Sequence, residues 1–503
     1  MQIFDFFTNQ INRIVGRKQE FYELLAAGDI SAVKSSMTLR GDMVIEAMKE
    51  YDTAAHEVNR REPKIITDKN GNIKKRVQRW KLPVPYPVYI NEIALVFLYG
   101  RPVKWTQVST GTDRAFEKFQ EVIKRTRFDS KIRQCKRLAG AETESAMLFR
   151  VFKDENEQPD VQIRVLARSK NDEIYYKFDQ YENLIAMAWG YYVAEEKGKA
   201  VYHFDIYTPG TIYRCTKKSL GWEVEHEPDF IGKIPLILFQ QDKEWKGVEN
   251  LINREEQIAS RTADTNDYFA DPIAVMNADV IKNLPDKKEE AKTLFTNNGD
   301  GVEKAMKYVT WDNAPQSKKD ELEWLQSQIL SKSFTPNITL DTLKSISQLS
   351  AKALRTVMML ADIKASKHKE VHDELLDRTA SLIIAIIGNV LDVSLAEECS
   401  RLQVQHEFQE PFGEDVADDL NDIIRAVDGG ILSTENAIEL NPLVKDVTRE
   451  RERIKKEKEE AAKQQQSLFS DLAGAGAQSY GDGSEDEDED EEPTNTKKKN
   501  EKK

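Results

Sequence analysis

Residues 368–372 read HKEVH, and a histidine pair four residues apart on one helical face, here His368 and His372, can hold zinc. The metalloprotease form places a glutamate directly after the first histidine as general base. Lys369 stands there instead, Glu370 and Glu374 lie nearby, and no third ligand is evident. A zinc-dependent hydrolase is therefore the weaker reading, and two histidines on a solvated helix face the stronger. No phosphate-cradling G-x-x-x-x-G-K-[ST], no G-x-S-x-G nucleophile turn and no paired C-x-x-C occurs. Trp189, Tyr191, Tyr192 and Tyr202 could stack on bases, but without interleaved Lys or Arg they read as sheet core. The expectation is a non-enzyme without cofactor or bound metal.

A different kind of segment lies at 331–350, SKSFTPNITLDTLKSISQLS, between two long helical patterns. It is too polar for a core and too patterned for a slack linker. Apolar residues at 340, 343, 346 and 349 allow part of it to be helix.

The elements around these residues follow from texture. At 503 residues, 40% hydrophobic and 32% charged, the chain has room for several domains with real cores. A net charge of −14 excludes coating nucleic acid by bulk electrostatics. Cys135, Cys215 and Cys399 are too far apart and too few for a disulfide framework, which points to a reducing compartment. The N-terminal MQIFDFFTNQINRIVGRK lacks the basic start and small-residue cleavage site of a secretory signal. The most apolar run, TASLIIAIIGNVL, has 13 residues against the roughly 20 of a bilayer span, so no membrane is implied.

Residues 1–60 have helical periodicity, and Asn70-Gly71 marks a hairpin turn. A helix follows the proline-rich LPVPYP, ends at Gly100-Arg101-Pro102, and leads into the strand VKWTQV. From about 145 to 240, eight short aromatic and β-branched runs separated by turn residues predict an antiparallel meander of six to eight strands. Two long helices, 246–270 and 316–333, then bracket a small mixed unit at 271–315. A helix of about 44 residues from 350 to 393 is long enough to need a kink. Helices stopped by Gly429-Gly430 and Asn441-Pro442 precede an acidic tail, EDEDEDEE at 485–492, expected to be disordered. The class is α+β, mainly helical.

This order of textures resembles the portal proteins of tailed bacteriophages, the connector subunits of long-tailed phages in particular. The carrying strings are YGRPVKWT (99–106), IPLILFQQDKEWKGVENLINREEQI (234–258), LSAKALRTVMMLADIKASKHKE (349–370) and GGILSTENAIELNPLVKDVTRERERI (429–454). The resemblance implies the phage portal fold and the following parts: an N-terminal helical arm (1–50); a wing of helices and β-meander (51–245); a two-helix stem (246–270 and 316–333); a small α/β clip (271–315); a tunnel loop (334–350); a long kinked wing helix (351–395); a helical crown (396–465); and the disordered acidic tail (466–503).

It further implies a homo-oligomeric ring, a dodecamer at one capsid vertex, through which double-stranded DNA enters during packaging and leaves at infection. The implied partners are a terminase ATPase, capsid or scaffolding protein, and head-completion (adaptor) proteins. Assembly would take place in the host cytoplasm. A generic scaffold without a channel is the non-enzymatic rival.

A conduit needs few and weak contacts with DNA, because each phosphate neutralised by Lys or Arg releases a counterion and tightens binding. The DNA-channel candidates are Lys332, Ser333, Thr335, Asn337, Thr339, Lys344, Ser345 and Ser347. Lys344 is either a channel-facing contact or an outward helix lysine.

Overall fold

The computed structural model describes residues 20–194, 200–270, 273–276, 306–309, 315–338, 351–409, 411, 416–441, 443–444, 447 and 449–460. They fall into two units, one ending at Phe412 and one starting at Gly413.

The first unit begins with helices α1 (Ile30–Ser36) and α2 (Gly41–Tyr51). Strands β1 (Lys64–Thr67) and β2 (Ile73–Val77) form the hairpin expected from Asn70-Gly71. Asp68 accepts from the backbone N–H of Asn70 and Asn72 at 2.8 and 2.9 Å, and Gly71 supplies the φ of +84° that closes the turn. Helix α3 (Tyr86–Tyr99) stops at Gly100, as read, and β3 (Lys104–Gln107) follows. Helices α4 (Asp113–Arg125) and α5 (Phe128–Glu142) lead into the β region.

All eight β runs are strands, but they make two sheets rather than one meander. β4 (Glu144–Lys153) and β5 (Pro159–Leu166) pair with the late strand β11 (Leu236–Gln240), in the order β11-β4-β5. β6 (Glu173–Phe178), β7 (Leu184–Ala194), β8 (Ala200–Thr208), β9 (Thr211–Lys218) and β10 (Gly221–Pro228) form a five-stranded meander. The period-two alternation explains the layers. Met147 and Phe149 of β4 face the helices, with Phe119, Phe128, Ile132, Leu376 and Ile383. Ala146 and Leu148 face Met187, Trp189 and Tyr207 of the other sheet. The far side of that sheet carries Phe21, Leu25, Ile30 and Val33 on Tyr175, Ile185 and Phe204. Residues 20–37 thus belong to this β core, a correction to the separate N-terminal arm.

Helix α6 (Glu249–Ala270) runs out, β12 (Ile273–Met276) pairs antiparallel with β13 (Met306–Val309), and α7 (Pro315–Lys332) returns. Arg254 meets Glu321 at 2.8 Å, and Ile252 packs with Ile329 and Leu330, so the helices lie antiparallel, as expected. At 22 residues α6 is about 33 Å long. The helix expected between β12 and β13 lies outside the described residues.

Helix α8 (Ala351–Ile386) runs as α-helix for 36 residues. It ends in a wider π-helical turn at 387–391, then turns into α9 (Ala396–Arg401). A Cβ on Gly388 would sit 3.0 Å from the Cys399 Cβ, so the glycine lets α9 fold back against this turn. β14 (Val404–Glu407) pairs antiparallel with β3, and Cys399 and Leu402 join the helical core. Residues 396–407 therefore belong to the first unit, a correction to the crown boundary at 396.

In the second unit α10 (Val416–Asp428) stops before Gly430, whose φ is +70°, and Ser433 caps α11 (Thr434–Leu440) by accepting from Asn436 N at 3.2 Å. The acidic tail lies outside the described residues. Among the described residues no helix is long and apolar enough to cross a membrane.

Candidate functional site

The polar segment after α7 is an ordered hook at its start. Thr335 N–H reaches Leu330 C=O at 2.9 Å and Phe334 N–H reaches Ser331 C=O at 3.2 Å, the paired bonds of a Schellman stop. Phe334 holds the left-handed position, φ +55°, where glycine is usual, and Lys367 Nζ lies 4.9 Å from its ring centre. Pro336 follows and cannot continue a helix. Tyr89 of α3 grips what comes next: its hydroxyl donates to Pro336 C=O at 2.8 Å and accepts from Ile338 N–H at 3.1 Å.

The channel candidates divide accordingly. Lys332 and Asn337 are exposed. Ser333 and Thr335 are buried at 4% and 1% exposure; Ser333 Oγ donates to Leu330 C=O at 3.2 Å and lies 3.1 Å from Thr335 Oγ1. These two hydroxyls finish the helix and do not face solvent, a correction to their place in the set. Thr339, Lys344, Ser345 and Ser347 lie outside the described residues.

The hook is fixed to α8 through one lysine. Lys364 Nζ donates to Ser333 C=O at 3.2 Å and to Glu244 C=O at 2.9 Å, and pairs as an ion with the Glu244 carboxylate at 2.9 Å. Glu244, between β11 and α6, is buried, and its carboxylate also accepts from Lys136 of α5 and from Gln241 Nε2 at 2.8 Å. His368 Nε2 lies 3.1 Å from the same carboxylate, and since a carboxylate only accepts, that nitrogen carries the proton. Burial alone would push the Glu244 carboxyl up; Lys136, His368 and Lys364 reverse this and hold it well below the carboxylate range. Burial lowers His368, partly opposed by its bond to Glu244, and burial with the Lys136 charge lowers His372 further.

The histidine pair is thus turned inward, a correction to the solvated face. His372 is 3% exposed and its Nδ1 lies 2.9 Å from the Tyr99 hydroxyl, while His368 is spent on Glu244. The two rings address different partners and lie 6.4 Å apart at their centres, which is not a shared ligand set. A sequence signal for this was present: Met358, Ala361, Ala365, His368, His372 and Leu376 follow the three-and-four spacing of one helix stripe. Lys136 likewise sits on the stripe of Ile132, Cys135 and Ala139. No such signal marks Glu244. The aromatic set reads as core, as expected for most of it: Trp189 is buried and donates to Asp172 at 2.8 Å, and Tyr191 stacks on it at 3.9 Å, although Tyr192 is exposed.

The arrangement clamps α5, the segment leading into α6, the end of α7 and α8 around one carboxylate, and so fixes the start of the polar segment. The family model for phage portal proteins of the SPP1 Gp6-like type matches residues 37–464, and the chain belongs to that family. It is a portal protein of the head–tail connector class, a structural and non-enzymatic family. A solved structure described as "Neck of native GTA particle computed with C12 symmetry" is similar at 10% identity, covering 71% of this chain and 90% of that one, with a TM-score of 0.39. No curated protein matches.

Proposed function

We propose that copies of this chain assemble as a ring, twelve on the family resemblance, whose axial opening passes duplex DNA into the capsid and later out. In this reading α6 and α7 are the stem, β12–β13 lies in the clip that docks the terminase ATPase and then head-completion proteins, and the segment 334–350 is the loop aimed at DNA. The crown begins with the second unit. The observation that carries the reading is the three-way grip of Lys364: it ties the foot of the loop to both the stem and the following helix, as a load-bearing rim of a conduit requires. The acidic balance of the chain supports it, because a wall of net charge −14 per copy repels phosphate and lets DNA slide.

Lys332 and Asn337 are the described residues we place toward DNA, with Lys344 beyond them in sequence. Negative-stain microscopy of the purified protein is the test. Rings with an axial opening wide enough for duplex are expected; a monomer under all assembly conditions, or closed particles without an opening, would overturn the reading. Charge reversal at Lys344 should then change packaged DNA length or yield in an infection assay.

A further inference from the structure

The hairpin of β1 and β2 is built at its feet and bare along its length. Asp264 of α6 accepts from Arg61 Nη2 at 2.6 Å and from Trp80 N–H at 2.7 Å, so one carboxylate holds both ends of the excursion. Trp80 Nε1 adds a bond to Asp267 at 2.5 Å. Every residue of both strands is nonetheless exposed, Ile65 at 55% and Ile73 at 53%. A lone two-stranded ribbon is marginal in water, and clustered exposed β-branched residues mark a contact surface.

Charge narrows the partner. Residues 60–81 hold nine Lys or Arg and two acids, a net of +7 in a chain of −14, so the remaining residues carry −21. The register pairs Lys64 with Val77, Ile65 with Arg76 and Ile66 with Lys75, which gives each face of the ribbon both apolar and basic groups. Phosphate recognition alone has no use for the isoleucines. A protein surface that is acidic and apolar together uses both.

The first unit carries such a surface. On α8, Met359, Ile363 and Val371 are 55%, 40% and 49% exposed, and Glu370, Asp373 and Glu374 are exposed beside them. In a ring, successive copies meet through two different patches rather than one self-complementary patch.

We propose that the 64–77 hairpin of one copy docks on the exposed face of α8 in the next copy. The inference rests on the ring reading above and assigns part of its subunit contact. The contact is electrostatically steered and closed by burial of the β-branched side chains.

Three full-length variants test it by light scattering and negative stain. Lys74→Glu, Lys75→Glu and Arg76→Glu together should raise the concentration needed for half-assembly at least ~10-fold, because like charges then face each other. Glu370→Lys with Glu374→Lys should do the same. All five changes in one chain should restore assembly, since a swapped pair is again complementary. Unchanged circular dichroism and melting of the exposed-site variants show that folding is intact.

Rings from the hairpin variant at wild-type concentrations, or failure of the five-fold variant to recover, would overturn the docking. So would a hairpin variant that assembles normally but loses salt-sensitive duplex binding, which assigns the ribbon to nucleic acid. If the unaltered protein forms no ring, the ring reading itself fails, and the two failures are told apart.

Discussion

Two buried glutamates stand at one end of the same strand pair and meet opposite fates. Glu144 opens β4 opposite Gln240, the last residue of β11; Glu244 follows four residues after that partner. Both are nearly sealed from solvent, at 4% and 6% exposure. Glu244 gathers Lys136, Lys364 and His368 and is ionised far into acid. Glu144 has one carboxylate oxygen without a partner, and burial, only partly opposed by Arg40 and Gln240, pushes it up to about 7. Position in the fold does not decide the charge state of a buried carboxyl; the cations brought to it by distant helices do. One site is therefore a permanent clamp and the other a group that titrates near neutrality.

The comparison breaks most sharply at Glu244. Glu244→Gln leaves Lys136 buried without a counter-charge, and the loss of unfolding free energy in urea should be about 3–5 kcal/mol. Adding Lys136→Met should recover most of that loss, because an apolar replacement of the pair leaves no orphan charge. If the double variant is no better than the single, the clamp is not a charge pair in the sense argued.

Glu144 should respond with the other sign. Its folded value lies above the ordinary 4.5, so the folded state holds the extra proton between 4.5 and about 7, and stability falls as pH rises through that window. Glu144→Gln should then raise stability by about 1–2 kcal/mol at pH 8 and change little at pH 5, read from thermal melts at the two pH values. A gain that does not depend on pH would mean packing, not ionisation, sets the cost.

The smallest effect is expected where neither carboxylate reaches. Lys332→Glu is an exposed change at the end of α7 and should move stability by no more than about 0.5 kcal/mol. A larger loss in denaturant melts would place Lys332 in the clamp rather than at the DNA-facing rim.

Local signals carried the elements well. Asn70-Gly71, Gly100, Gly430 and Ser433 act where their backbone and capping chemistry says they should, and the out-and-back helices were legible from length and punctuation. What local signals missed were strand pairings and side-chain partners set by distance along the chain. β11 joins β4 and β14 joins β3 across long stretches of intervening chain, and no turn residue announces those pairings. The histidines misled for a related reason. A spacing that could bind metal is also the spacing of a buried stripe, and Tyr99 and Glu244, far away in sequence, settle which one it is. Ser333 and Thr335 read as free hydroxyls because polarity was legible and the Schellman stop that buries them was not.

The grip of Lys364 on two carbonyls and a carboxylate has a mechanical consequence. The lysine cannot move with the end of α7 without letting go of either Ser333 or Glu244. A pull there is therefore passed at once to the roots of both antiparallel helices.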